Sequence, residues 1–231
     1  MKKLVIFDLD GTLLNTVGDI AAATNHALQE HHYPTRSEEE IRSFVGNGIN
    51  KLFERALPEG HKTQEDILQI RSSFIPYYNA HGTEKTVPFP GIHELLEYLQ
   101  EQGAQLAVAS NKYEQATRSL VAHYFPQIRF TAVLGQREGI PVKPDPFIVH
   151  EICATAGADL SEVLYVGDSG VDMQTAIHAG VDVIGVTWGC RPRTELEKFQ
   201  PNWVVDQAAE IQRIYSDLST DSSSMTANKQ A

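Results

Sequence analysis

The chain has 231 residues, 42% hydrophobic and 21% charged, the balance of an ordinary folded protein long enough to bury a sizeable core. Lys plus Arg (19) against Asp plus Glu (30) leaves a net charge of −11 with no basic stretch, which argues against a nucleic-acid partner but allows a small anion in a locally positive pocket. No apolar run approaches the roughly 20 residues of a membrane span, and the apolar run after Lys2 and Lys3 is too short for a secretion signal, so the expected address is cytoplasmic.

The first element is the run Leu4-Val5-Ile6-Phe7, a buried strand that empties into Asp8-Leu9-Asp10-Gly11-Thr12. Two carboxylates one residue apart, just past a buried strand, are costly unless positive charge sits against them. A divalent cation and a phosphoryl group would supply that charge. One aspartate would then attack phosphorus while the other handles protons. Residues 16 to about 84 hold no convincing strand but three helical patterns, 17–31, 37–57 and 64–81, as expected of an inserted all-helical domain. Its exit, Val87-Pro88-Phe89-Pro90-Gly91, is rich in chain breakers and suits a hinge.

Beyond the hinge, short apolar strands at 106–109, 132–134, 163–166, 183–186 and 203–205 are separated by helices at 91–102, 113–125, 146–157, 171–179 and 192–199. A last helix is expected at 207–216. This is the pattern of a parallel sheet covered on both faces. The expected class is α/β, with a core from 1–15 and 85–215 and a helical cap from 16–84. Residues 216–231, rich in Ser, Thr and Asp with little to bury, are expected to be disordered. Cys153 and Cys190 show neither metal spacing nor a disulfide framework.

In open α/β sheets ligands bind outside the carboxyl ends of the strands, so residues there converge in space. Asp8 and Asp10 follow the first strand; Ser110, Asn111 and Lys112 follow the second. Lys143-Pro144-Asp145-Pro146 follows the third after a loop, and Gly167-Asp168-Ser169 follows the fourth, with Asp172 four residues past Asp168. Taken as one site, Asp8 is the nucleophile and Asp10 the acid and base. Asp8, Asp168 and the Asp10 carbonyl offer oxygens to Mg²⁺, and Asp172 acts through water or orients the others. Ser110 and Asn111 would hold phosphoryl oxygens, and Lys143 would neutralise both the phosphoryl group and Asp8. Each motif alone has a bland reading: a turn, a helix cap, a surface lysine. Their joint order on alternating strands carries the argument.

These motifs, in this order, resemble the haloacid dehalogenase superfamily of phosphohydrolases over residues 4 to about 205. Phe44-Val45-Gly46-Asn47-Gly48 with Glu54-Arg55-Ala56-Leu57, together with Ser110-Asn111-Lys112, is similar to the phosphoglycolate phosphatase branch. The resemblance implies a Rossmann-like core, a mobile helical cap, Mg²⁺ and a cis Lys143–Pro144 bond. It also points to Gly46 and Gly48 as substrate contacts. Asn15 stands where relatives usually carry Asp, at the expected cap linker. Arg191, after the fifth strand, is a further candidate for binding an anion. The expected partner is a small phosphorylated metabolite, 2-phosphoglycolate first, met by a monomer or weak homodimer with no nucleic acid or membrane. Rival readings are a sugar-phosphate mutase, a pyrophosphatase, a phosphonate hydrolase using Lys51, and a non-catalytic binding module.

Overall fold

Strand β1 (Leu4–Phe7) is fully buried, which is why its sequence is an unbroken apolar run and not an alternation. It lies at the centre of a sheet in a computed structural model that describes residues 2–227. β4 (Gln105–Tyr113) and β6 (Val163–Gly167) flank it, β5 (Phe130–Gln136) lies outside β4, and β7 (Asp182–Val186) and β8 (Trp203–Val205) lie beyond β6. All five pairings are parallel. The class is α/β and Rossmann-like, as expected.

Alternation along each strand feeds two cores. Val5 and Phe7 pack with Val108 and Val166 on one face, under α5 (Ile92–Glu101), α6 (Glu114–Tyr124) and α10 (Ala208–Ala227). Leu4 and Ile6 pack with Ala107 and Tyr165 on the other, under α7 (Phe147–Ala156) and α8 (Gly170–Ala179). Every strand therefore ends toward the same edge of the sheet, where the motif residues stand.

Helices α1 (Val17–Glu30), α2 (Glu38–Phe44), α3 (Ile49–Ala56) and α4 (Gln64–His81) share a separate apolar cluster that includes Leu28, Ile41, Phe53, Ile70 and Phe74. They leave and rejoin the core through β2 (Leu14–Asn15) and β3 (Val87–Pro88), an antiparallel pair with Asn15 opposite Val87. Asp19, buried in the first turn of α1, accepts from the backbone of Lys85 and Thr86 and from the Thr86 hydroxyl, which ties the two linker strands together.

Three expectations are corrected. The helix expected over 37–57 is two helices, because Gly46 (φ 117°) and Gly48 (φ 83°) take left-handed conformations that no right-handed helix can contain. The helix expected over 192–199 is a short α9 (Arg193–Leu196) followed by a 3₁₀ turn (Glu197–Phe199). The tail expected to be disordered from 216 is helical through Ala227, since α10 is anchored by buried Ile211 and Tyr215 and each added turn needs only local hydrogen bonds; residues 228–231 lie outside those described. Among the described residues no helix is long and apolar enough to cross a membrane.

Candidate active site

Asp8 follows β1 directly, and its backbone N–H continues the sheet by donating to the Val166 carbonyl at 2.9 Å. Lys143 reaches it from the loop after β5, Nζ 2.9 Å from Asp8 Oδ1 and 2.7 Å from Asp172 Oδ1. The same ammonium donates to the Ala109 carbonyl and the Tyr165 hydroxyl, so all its donors are engaged while it is only 3% exposed. The loop reaches this position through a cis Lys143–Pro144 bond, as expected. Burial alone would weaken the Lys143 charge, but Asp172 and Asp8 outweigh it and hold the ammonium well above the ordinary lysine range. Asp172 is immobilised from every side. Lys143 and the Tyr165 hydroxyl donate to Oδ1, and the Ser169 backbone and hydroxyl donate to Oδ2 in the capping box that opens α8.

Asp8, Asp168 and Asp172 each present a carboxylate oxygen within 4.8 Å of the others, and all three are buried. Burial first, then Asp172, pushes the Asp8 carboxyl well up against the pull of Lys143. Burial and Asp172 likewise raise Asp168 to about 7, although the Cys190 backbone N–H donates to its Oδ2 at 2.6 Å. Three carboxylates against one ammonium make a site with surplus negative charge and hard oxygen donors, a fit for a small divalent cation.

That surplus has a measurable consequence. A carboxyl titrating near 7 in the folded protein and about 3.9 in the unfolded chain takes up a proton on folding between those values. Without a cation this contribution erodes stability as pH rises through the window. Added Mg²⁺ is therefore expected to raise the melting temperature more at pH 7.5 than at pH 5; a gain independent of pH would contradict the assignment.

Backbone space around Asp168 is equally tight. A Cβ on Gly189 would lie 2.2 Å from Asp168 Oδ2 and 2.4 Å from the Gly11 carbonyl, and one on Gly11 (φ 91°) would lie 2.3 Å from the same oxygen. Both glycines are needed for the carboxylate to stand where it does. Gly189→Ala is expected to displace Asp168 and cost activity roughly 10²-fold, the scale of an ångström's misplacement. Turnover and divalent-cation affinity of the variant check this, and wild-type values of both would refute it.

Asp10 faces a cavity, open to solvent, between core and cap. Its carboxylate accepts from the Thr16 hydroxyl at 2.6 Å and from Lys112 Nζ at 3.0 and 3.2 Å. Ser110 and Asn111 also line the cavity, at the irregular far end of β4 where register with β5 slips between Ala109 and Tyr113. The Asn111 side chain is engaged with backbone, donating to the Lys143 and Gly46 carbonyls and accepting from Lys143 N–H. From the cap come Gly46 and Gly48 with Ile20, Val45, Ile49, Leu52 and Phe74.

Arg191 and Lys51 do not line this cavity. The Arg191 guanidinium instead donates to the Arg42, Ser43 and Val45 carbonyls at the end of α2, clasping the cap to the loop that holds Asp168. Lys51 lies on an exposed face of α3, paired with Glu54 at 2.6 Å. Sequence reasoning assigned no role to Tyr165, Thr16, Gly189 or the Lys112 ammonium. Only the Ser-x-x-Asp spacing of Ser169 and Asp172 carried a readable local signal, that of a capping box.

A family model described as haloacid dehalogenase-like hydrolase matches residues 5–186. The phosphoglycolate phosphatase of Haemophilus influenzae (strain 86-028NP) is 34% identical over 215 residues, 90% of this chain and 96% of its own length. The crystal structure of a predicted phosphoglycolate phosphatase from Haemophilus somnus superposes with a TM-score of 0.86 at 31% identity, covering 93% of this chain and 98% of that one. A Lactobacillus delbrueckii subsp. bulgaricus protein gives the same TM-score, 0.86, at 34% identity, over 93% of this chain and 98% of its own.

Proposed function

The chain belongs to the haloacid dehalogenase-like hydrolases and is a phosphatase, and on that premise we propose that it hydrolyses 2-phosphoglycolate with Mg²⁺ through a phosphoenzyme on Asp8. The observation that carries the mechanism is the buried Asp8 held 2.9 Å from Lys143, with Asp10 two residues on and facing the cavity. Asp8 forms a bond to phosphorus as the bond to the leaving oxygen breaks, and Asp10 gives that oxygen its proton. Asp10 then takes a proton from water, whose oxygen displaces Asp8 and releases inorganic phosphate. Lys143 holds its charge against Asp8 and the phosphoryl oxygens throughout. The Ser110 hydroxyl and the Asn111 backbone N–H receive those oxygens, the Asn111 side-chain amide being already taken up by backbone. Asp8, Asp168 and the Asp10 carbonyl would hold Mg²⁺, braced by Asp172, and its charge offsets that gathering on the phosphoryl group. The helical cap closes water out during the reaction and opens to release product.

Phosphoglycolate is favoured because the relatives at about a third identity along nearly the whole chain carry that activity in their names. Phosphate release from a panel of esters, with Mg²⁺ and with EDTA, tests both parts. The expected result is a kcat/KM for 2-phosphoglycolate far above the other esters, lost in EDTA. Equal turnover of all esters would remove the substrate assignment, and activity undiminished by EDTA would remove the metal.

A further inference from the structure

Lys112 is a buried cation that the chemistry at phosphorus does not use. Its side chain is 6% exposed, with Nζ 3.0 Å from Asp10 Oδ1 and 4.6 Å from the centre of the Tyr78 ring on cap helix α4. Among the described residues it is the only Lys or Arg lining the cavity, whose cap wall is otherwise apolar side chains and glycines. Burial would strip its charge, but Asp10 outweighs that and keeps the ammonium protonated.

Placement beside Asp10 determines what such a charge can meet. The proton on Asp10 must reach the ester oxygen over about 2.6–3.2 Å. An ammonium 3.0 Å from Asp10 then stands beside whatever the leaving group carries on its next one or two atoms. The surrounding wall offers an anionic substituent no other cation. A neutral substituent, in turn, leaves the ammonium with only Asp10 and Tyr78 as partners.

We propose that Lys112 is the specificity-determining residue of this site, selecting leaving groups that carry a carboxylate on the carbon bonded to the ester oxygen. The inference rests on the phosphatase reading of Asp8 and Asp10, and it supplies a physical reason for a phosphorylated hydroxy acid as substrate. Lys112 contacts the carboxylate while Asp10 serves the adjacent oxygen.

The test compares 2-phosphoglycolate with ethyl phosphate, which has the same two-carbon leaving group without the charge. Any disturbance of Asp10 by Lys112→Met falls on both substrates, so the ratio of their kcat/KM values isolates carboxylate recognition. The wild-type preference for 2-phosphoglycolate is expected to shrink roughly 30- to 100-fold in Lys112→Met, mainly through KM, the scale of one charge-assisted hydrogen bond. A ratio within about three-fold of wild type, with both substrates slowed alike, would make Lys112 only a positioning residue for Asp10 and overturn the proposal. In that case a wild-type preference for 2-phosphoglycolate would leave the substrate reading standing. A wild-type enzyme that favours ethyl phosphate would sink both. Should Lys112→Met not fold, Lys112→Gln is read the same way. The wild-type enzyme must in addition be inhibited at least about ten-fold more strongly by 3-phosphonopropionate than by propylphosphonate, and equal inhibition overturns the proposal.

Discussion

Replacing Asp8 by Asn is expected to lower phosphate release by roughly 10³-fold or more, because an amide cannot form the covalent bond to phosphorus that divides the reaction into two steps. The fold is expected to survive. Asn keeps the size of Asp8, and Lys143 retains Asp172 Oδ1 at 2.7 Å together with the Ala109 carbonyl. The substitution also removes one charge from a cluster in which Asp172, Asp168 and Asp10 all press the Asp8 carboxyl upward. The melting temperature without metal should therefore hold or rise while activity disappears. Wild-type kcat in this variant, measured with Mg²⁺ on the best ester, would refute the nucleophile assignment.

Lys143→Met is expected to damage both stability and catalysis. The lysine is 3% exposed and pairs with two carboxylates that are themselves buried. Removing one partner from such a pair costs about 3–5 kcal/mol, since it leaves uncompensated charge in the interior. For a chain of this length that lowers the melting temperature by roughly 10 °C. Mg²⁺ should recover part of the loss by restoring positive charge, but not the activity, because the Lys143 charge is needed on the phosphoryl oxygens at the moment of transfer. A variant that melts like the wild type, or that turns over at the wild-type rate, would contradict the network described for Asp8, Lys143 and Asp172.

The parts of this site legible in the sequence are those written as local pattern. Leu4-Val5-Ile6-Phe7 announces a strand buried on both faces, and its hand-over to Asp8 and Asp10 announces costly charge. Ser110, Lys143 and Asp168 became readable because parallel topology brings successive strand ends to one edge. What stayed hidden are contacts made across the fold by residues with a bland local reading. Tyr165 looks like one more apolar strand residue, yet its hydroxyl sits on Asp172. Gly189 looks like a loop glycine, and only the space around Asp168 shows why a side chain is excluded there. The place of Arg191 after a strand suggests an anion binder, whereas its donors go to backbone carbonyls at the end of α2, which no sequence pattern marks. Asn15 sits in the linker pair opposite Val87 and is not among the residues lining the cavity.

The central claim is that phosphate passes through Asp8, and trapping that species tests it most directly. The enzyme would be mixed with ³²P-labelled 2-phosphoglycolate and Mg²⁺, quenched in acid within the first turnover and reduced with borohydride, which converts an aspartyl phosphate to homoserine. Homoserine at position 8 alone, absent from Asp8→Asn, is the predicted result. Label on another residue, or turnover with no protein-bound phosphate at any time, would contradict it.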